Sequence, residues 1–255
     1  MASAFLPLIE LDEIPMGIYT VRLKDRQPVA EGTMAYYFDK PAGFGFMGGQ
    51  SIDLTHIHPP ETDAEGNKRS FSIASAPHEP WIMVATRQRD TAFKRVLLSM
   101  PLGSELKIEG PLGSMTLHRK VTRPAIIFAG GIGITPFRSM LLQVAQAGTG
   151  RRLFLFYSNR RPEDAAFLGE LQELAHRNLN FALIPTMIDL SKSKVAWTGE
   201  KGYINKEMLT KFVGDLREPV YYTAGPPSLV AAMKEMLTEV GVDEDEINSE
   251  DFVGY

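Results

Sequence analysis

Cysteine is absent from all 255 residues. Disulfides and cysteine-ligated iron–sulfur clusters are therefore excluded from these residues, and thiol usage says nothing about redox compartment. Any iron–sulfur centre is expected on another protein. Histidine is also scarce, at five residues. His56 and His58 fall in a proline-rich stretch with no obvious carboxylate partner, so no metal site is expected and both are read as surface residues. No window approaches about 18 uninterrupted apolar residues, and Met1–Glu10 lacks the basic start and apolar run of a signal peptide. The expectation is a soluble, cytoplasmic protein without a membrane span. An excess of one charge is missing too: 27 basic against 31 acidic residues give a formal charge of −4. No global field marks nucleic acid or an anionic membrane as the partner.

What is present falls into two halves. At 44% hydrophobic composition the chain can bury a sizeable core. From Gly17 to Leu117, short apolar runs (GIYTVRLKD, TMAYYFD, GGQSIDLTH, RSFSIASAP, WIMVATR, ELKIEG) are broken by glycine, proline and polar clusters, which predicts antiparallel strands in a small barrel. Thr91–Met100 is the exception, its apolar residues following a helical spacing. His56–Lys68 is polar and reads as an exposed loop. From Arg123 onward, compact strands (AIIFAG, LFLFYS, FALIPT, VYYTAG) alternate with amphipathic helices, predicting a doubly wound parallel sheet. The helix after LFLFYS is predicted to start at Pro162, with Glu163 and Asp164 in its first turn and Phe167, Leu171 and Leu174 on one face. The predicted domains are 1–120 and 121–255, joined at the polar segment Leu117–Pro124.

The strongest local signal is AIIFAGGIGITPFRSML, where a buried strand runs into Gly130, Gly131 and Gly133, then Thr135 and Pro136. Thr135 suits an N-cap and Pro136 the first helical position. Glycines there let backbone approach a ligand, and a helix N-terminus offers free N–H groups to a dinucleotide's pyrophosphate. An ordinary strand–turn–helix needing glycine for chain reversal is the plain alternative. Proline replaces the third glycine of G-x-G-x-x-G, so this is not that fingerprint. VYYTAGPPSLV sets Gly225, Pro226 and Pro227 between a later strand and its helix, where its loop can face the same crevice. After LFLFY come Ser158, Arg160 and Arg161, where a NAD-selective site would carry an acid; hydroxyl and guanidinium suit a 2′-phosphate, and a solvated basic loop is the alternative.

Arg69-Ser70-Phe71-Ser72, then GPLGSM at Gly110–Met115, the glycine loop, and Ala224-Gly225-Pro226-Pro227 stand in an order that resembles the ferredoxin-NADP reductase superfamily over nearly the whole chain. The resemblance implies a barrel binding FAD, a second half binding NADPH or NADH, and electron transfer through the flavin to a small carrier such as ferredoxin or flavodoxin. It assigns Arg69 to the flavin pyrophosphate, Phe71 to the ring face and Ser72 to a catalytic hydrogen bond near the reacting ring nitrogen. Gly110, Pro111 and Gly113, with backbone at Thr91 and Ala92, are implied to lie near the flavin diphosphate, though RDTAFKRVL departs from the family's G-x-x-S pattern. Gly130, Gly131, Gly133, Thr135 and Pro136 match G-G-x-G-x-T-P and are implied to hold the nicotinamide pyrophosphate. Ala224 stands where relatives carry cysteine beside the nicotinamide. The ending Glu250-Asp251-Phe252-Val253-Gly254-Tyr255 implies a covering aromatic at Phe252 or Tyr255 and a proton relay at Glu250. Two alternatives stay open: an NADH-using reductase component for an oxygenase or small-molecule acceptor, and a flavin-binding subunit or sensor without turnover.

Overall fold

The computed structural model describes residues 15–252, so the covering role expected of Tyr255 lies outside the described residues. Six antiparallel strands form the first half: β1 (Gly17–Ala30), β2 (Thr33–Asp39), β3 (Ser51–His56), β4 (Lys68–Ser72), β5 (Trp81–Arg87) and β6 (Glu105–Leu112). Their order is β4-β3-β6-β1-β2-β5. The two edge strands curl together, and just past β4 the Ala74 N–H donates to the Met83 carbonyl of β5 at 2.7 Å. Alternation sends Val21, Leu23, Ile52 and Leu54 inward, where α1 (Ala92–Ser99) closes the barrel with Phe93 and Leu97. Thr91 caps that helix, its hydroxyl accepting from Lys94 N at 3.4 Å.

The second half contains β7 (Ala125–Gly130), a 3-10 turn at Gly131–Gly133, α2 (Ile134–Ala147), β8 (Leu153–Asn159), α3 (Leu168–Arg177), β9 (Phe181–Met187), β10 (Glu200–Lys201), α4 (Lys206–Phe212), β11 (Val220–Gly225), α5 (Pro227–Glu239) and β12 (Ile247–Asp251). The parallel sheet runs β10-β9-β8-β7-β11-β12. Every residue of β7, β8 and β11 is buried, as expected of strands covered by helices on both faces. Strand order reverses at β7, so the crevice of a doubly wound sheet opens beyond its carboxyl end.

Three local expectations change, and one strand is added. The helix α2 begins at Ile134 behind the 3-10 turn, so Thr135 is not its N-cap and Pro136 not its first residue; the Thr135 hydroxyl donates back to Ile132 O at 3.0 Å. Pro136 is tolerated because its missing N–H falls within the unbonded first turn. Pro162–Asp164 forms only a 3-10 turn, and Phe167, at φ 61°, separates it from α3. The added strand is β12, which pairs with β11 so that Ala224 lies opposite Glu250 and Gly225 opposite Asp251. His56 is no surface residue: it is 2% exposed, its Nε2 lies 3.1 Å from Phe93 O, and burial pushes its pKa down.

The halves share one apolar cluster in which Ala35, Ala74 and Met83 of the barrel meet Ile132, Phe137 and Met140 of the second half. Arg138 of α2 crosses this boundary almost fully buried. It pairs with Glu79 at 3.0 Å and Glu170 at 2.6 Å and donates to Ala74 O at 2.7 Å.

Candidate functional site

A cleft of about 520 Å³ opens where the two halves meet. One wall is the barrel: Arg69, Ser70, Phe71 and Ser72 along β4, Arg87 and Arg89 at the end of β5, and Thr91, Phe93 and Lys94 at the start of α1. The facing wall comes from the second half, with Ile132 and Thr135 of the glycine loop and Glu250, Asp251 and Phe252 at the end of β12. Residues far apart in sequence thus converge because β4 and β5 close the barrel and β12 is carried to the carboxyl end of β11.

Within this cleft, Phe71 leans on Phe93 with ring centroids 5.8 Å apart and planes tilted by 37°, giving an apolar wall. Ser72 is 7% exposed and its hydroxyl has no hydrogen-bond partner among the described residues, leaving it free for a ligand. The Ser70 hydroxyl is taken by Asp53. Phe252 is anchored through its backbone N–H, which donates to Gly225 O at 2.9 Å. Burial raises the Glu250 pKa, so its carboxyl holds a proton more readily than an exposed one.

Cations dominate the barrel wall. Burial, then the neighbouring Arg89 and Arg69 charges, lowers the Lys94 pKa. The Arg87 guanidinium, absent from the sequence expectations, lies against the glycine loop: a Cβ on Gly131 would meet its Nη2 at 2.9 Å. No acid pairs with it among the described residues. Its only sequence signal was a charge at the end of a barrel strand. Arg69 is differently placed, its Nη2 bonding Asp63 at 2.8 Å and Glu65 at 2.9 Å while Nη1 donates to three carbonyls of the same loop.

The glycines of the second half serve the joint between its two loops. A Cβ on Gly133 would lie 2.3 Å from Ala224 O, and one on Gly225, whose φ is 149°, would lie 3.0 Å from the Gly130 backbone. Gly130 itself faces Pro226. Gly133 is therefore required by the approach of one loop to the other, where the sequence pointed to the approach of backbone to a ligand. Ala224 is wholly buried beneath this joint. Ser158, Pro136 and Pro227 lie at the strand and helix ends around it, outside the cleft wall.

Other expected residues are not brought to the cleft. Gly110 packs on the Ile52 side chain, with Pro111 next to it in β6; Gly113 sits beside Ser51, which does line the cleft. Arg161 is spent on Asp164 at 2.6 Å and Glu31 at 3.5 Å, while Arg160 stays exposed. No helix among the described residues is long and apolar enough to cross a membrane.

Comparison with known proteins agrees with this architecture. The family model for an oxidoreductase NAD-binding domain matches residues 127–235. The chain is 29% identical over 223 residues to the glycine betaine monooxygenase reductase subunit of Chromohalobacter salexigens, covering 86% of this chain and 60% of that protein. It is 28% identical over 242 residues to ferredoxin–NADP reductase B of Sorangium cellulosum, covering 91% and 96%. It thus spans about 60% of the length of the reductase subunits it matches, and nearly all of the shorter reductase. Among solved structures, a ferredoxin NADP+ reductase from Neisseria gonorrhoeae with bound FAD and NADP superposes with a TM-score of 0.77 at 18% identity, covering 92% of this chain and 98% of that one. The Amycolatopsis cytochrome P450 reductase GcoB gives 0.78 at 19%, covering 93% and 70%. The match to an oxidoreductase NAD-binding domain thus falls in the second half, and a barrel joined to a doubly wound sheet in this order is the fold shared with these reductase structures.

Proposed function

We propose that this chain is an FAD-dependent reductase that oxidises NADPH or NADH and passes the electrons to a separate acceptor, with residues 1–120 serving the flavin and 121–255 the nicotinamide. The observation that carries the reading is the shared cleft, in which Arg69–Ser72 of the barrel face Ile132, Thr135 and Glu250–Phe252 of the second half. Its volume lies within the range of small-molecule sites. An aromatic face at Phe71, backed by Phe93, beside a free Ser72 hydroxyl fits a flavin ring, and the surplus of Arg87, Arg89 and Lys94 fits a diphosphate. Bound flavin supplies the exchange between the two-electron chemistry of nicotinamide and one-electron carriers.

The chain's own residues position and shield. Phe71 supports the ring, Ser72 donates a hydrogen bond to it, and Phe252 excludes water from the opposite side. Arg87 reaches the glycine loop from the barrel, so one guanidinium links the cation-rich wall to the nicotinamide half. Glu250, its pKa raised by burial, supplies or accepts a proton at the cleft. With no cysteine in these residues, a one-electron acceptor's cluster lies outside them. A ferredoxin or flavodoxin fits this role.

A second reading, an NADH-using reductase component of an oxygenase, is favoured by Arg161. Its pairing with Asp164 and Glu31 leaves a 2′-phosphate only the exposed Arg160. Anaerobic stopped-flow absorbance of the FAD-loaded protein against NADPH and NADH tests both readings. Bleaching of the flavin band supports the reductase, and the faster nucleotide selects between the two. A yellow protein that bleaches with neither sinks both and leaves a binding subunit or sensor.

A further inference from the structure

Arg69, the residue expected to meet the flavin's pyrophosphate, already carries this chain's own anions. Its Nη2 lies 2.8 Å from an Asp63 carboxylate oxygen and 2.9 Å from one of Glu65. Its Nη1 donates to the carbonyls of Glu65, Gly66 and Lys68 at 3.0, 3.1 and 2.8 Å. Two carboxylates on one guanidinium leave this spot with a net negative charge, unlike the Arg87, Arg89 and Lys94 region beside it. The two acids differ in position. Asp63 is held in the turn, accepting from Glu65 N at 3.0 Å, and its bond to Arg69, with the Glu65 and Ala92 amides adding to it, holds its carboxyl below the usual range. The Glu65 side chain is 75% exposed, pairs among the described residues with Arg69 alone, and lines the cleft with it.

We propose that Glu65 is a tethered competitor of the flavin's phosphate groups for Arg69, so that it lowers the affinity for phosphorylated flavins while leaving that for riboflavin untouched. The inference rests on the flavin reading of the cleft. The Asp63–Gly66 turn fixes the Glu65 backbone beside Arg69, which keeps the local carboxylate concentration high whatever the flavin concentration. A phosphate must displace that carboxylate before it gains the guanidinium. An exposed ion pair is weak, so the displacement is small in energy and the competition is graded. The apolar ring contacts at Phe71 and Phe93 are untouched by it, which separates affinity for the ring from affinity for the phosphates.

The test is equilibrium titration of the full chain with FAD, FMN and riboflavin, read by flavin fluorescence, for wild type, Glu65→Gln, Glu65→Ala and Asp63→Asn/Glu65→Gln. Either single variant is expected to lower the Kd for FAD and FMN about threefold, and the double variant about tenfold, with riboflavin unchanged. Riboflavin binding accompanied by an FAD Kd that is unchanged or raised in the Glu65 variants overturns the proposal while leaving the flavin reading intact. Failure of wild type and all variants to bind any of the three flavins overturns both.

Discussion

Replacing Gly133 by alanine probes the joint between the two nucleotide-half loops. The added Cβ would lie 2.3 Å from Ala224 O, 2.5 Å from Ala224 C and 2.7 Å from Gly225 Cα. All three are backbone atoms of a wholly buried strand end, so no side chain can swing away to relieve the clash. Restoring ordinary contact requires the loops to part by about 1 Å or more. Overpacking of this kind costs about 1–3 kcal/mol, and the parted loops no longer present the glycine turn beside Thr135 to the cleft. The barrel and its Arg69–Ser72 wall are untouched. Gly133→Ala is therefore expected to lower stability by that amount in urea denaturation, to raise the Kd for nicotinamide nucleotides at least about tenfold, and to leave flavin binding unchanged. Gly169→Ala is the control, since its Cβ meets nothing within 4 Å. A Gly133→Ala protein with wild-type stability and nucleotide affinity within about twofold refutes the argument that loop-to-loop approach demands this glycine.

Arg138→Met tests the bridge between the halves. It strands Glu79, whose side chain is 15% exposed, and removes the bond to Ala74 O. The expected loss is about 3–5 kcal/mol, mostly from the buried charge left behind, since the more exposed Glu170 contributes little. A change below about 1 kcal/mol in denaturant midpoint analysis contradicts it. Glu250→Gln tests the burial of a lone carboxyl. Because burial raises its folded pKa above the unfolded value, stability from the protonated form is present below the unfolded pKa and is lost as pH rises through the folded one. Glutamine abolishes that loss, so the variant is expected to be more stable than wild type at neutral pH and equal to it under acid conditions; an equal difference at both pH values argues against burial as the cause.

The sequence by itself carried the two-part grammar, because period-two strands and strand–helix alternation are local consequences of which faces must be buried. Barrel strands, the helix within Thr91–Met100 and the strands β7, β8, β9 and β11 were all legible for that reason. So were the motifs, since the residue types at Arg69–Ser72 and in the glycine loop bear on chemistry whatever surrounds them. The starts of α2 and α3 were not, because a capping signal at Thr135–Pro136 or Pro162 competes with packing that only the folded chain imposes. Strand β12 gave no sign in its polar letters, as its pairing to β11 is backbone to backbone.

Tertiary structure alone decided which charges are free. Arg161, promising as a phosphate ligand in the sequence, is spent on Asp164 and Glu31. Arg69 is shared with two acids of its own loop, while the unremarked Arg87 faces the glycine turn without an acid partner among the described residues. His56, read as exposed, fills the space against Phe93. Ion pairs and burial depend on distances between segments remote in the chain, and neighbouring letters do not encode those distances.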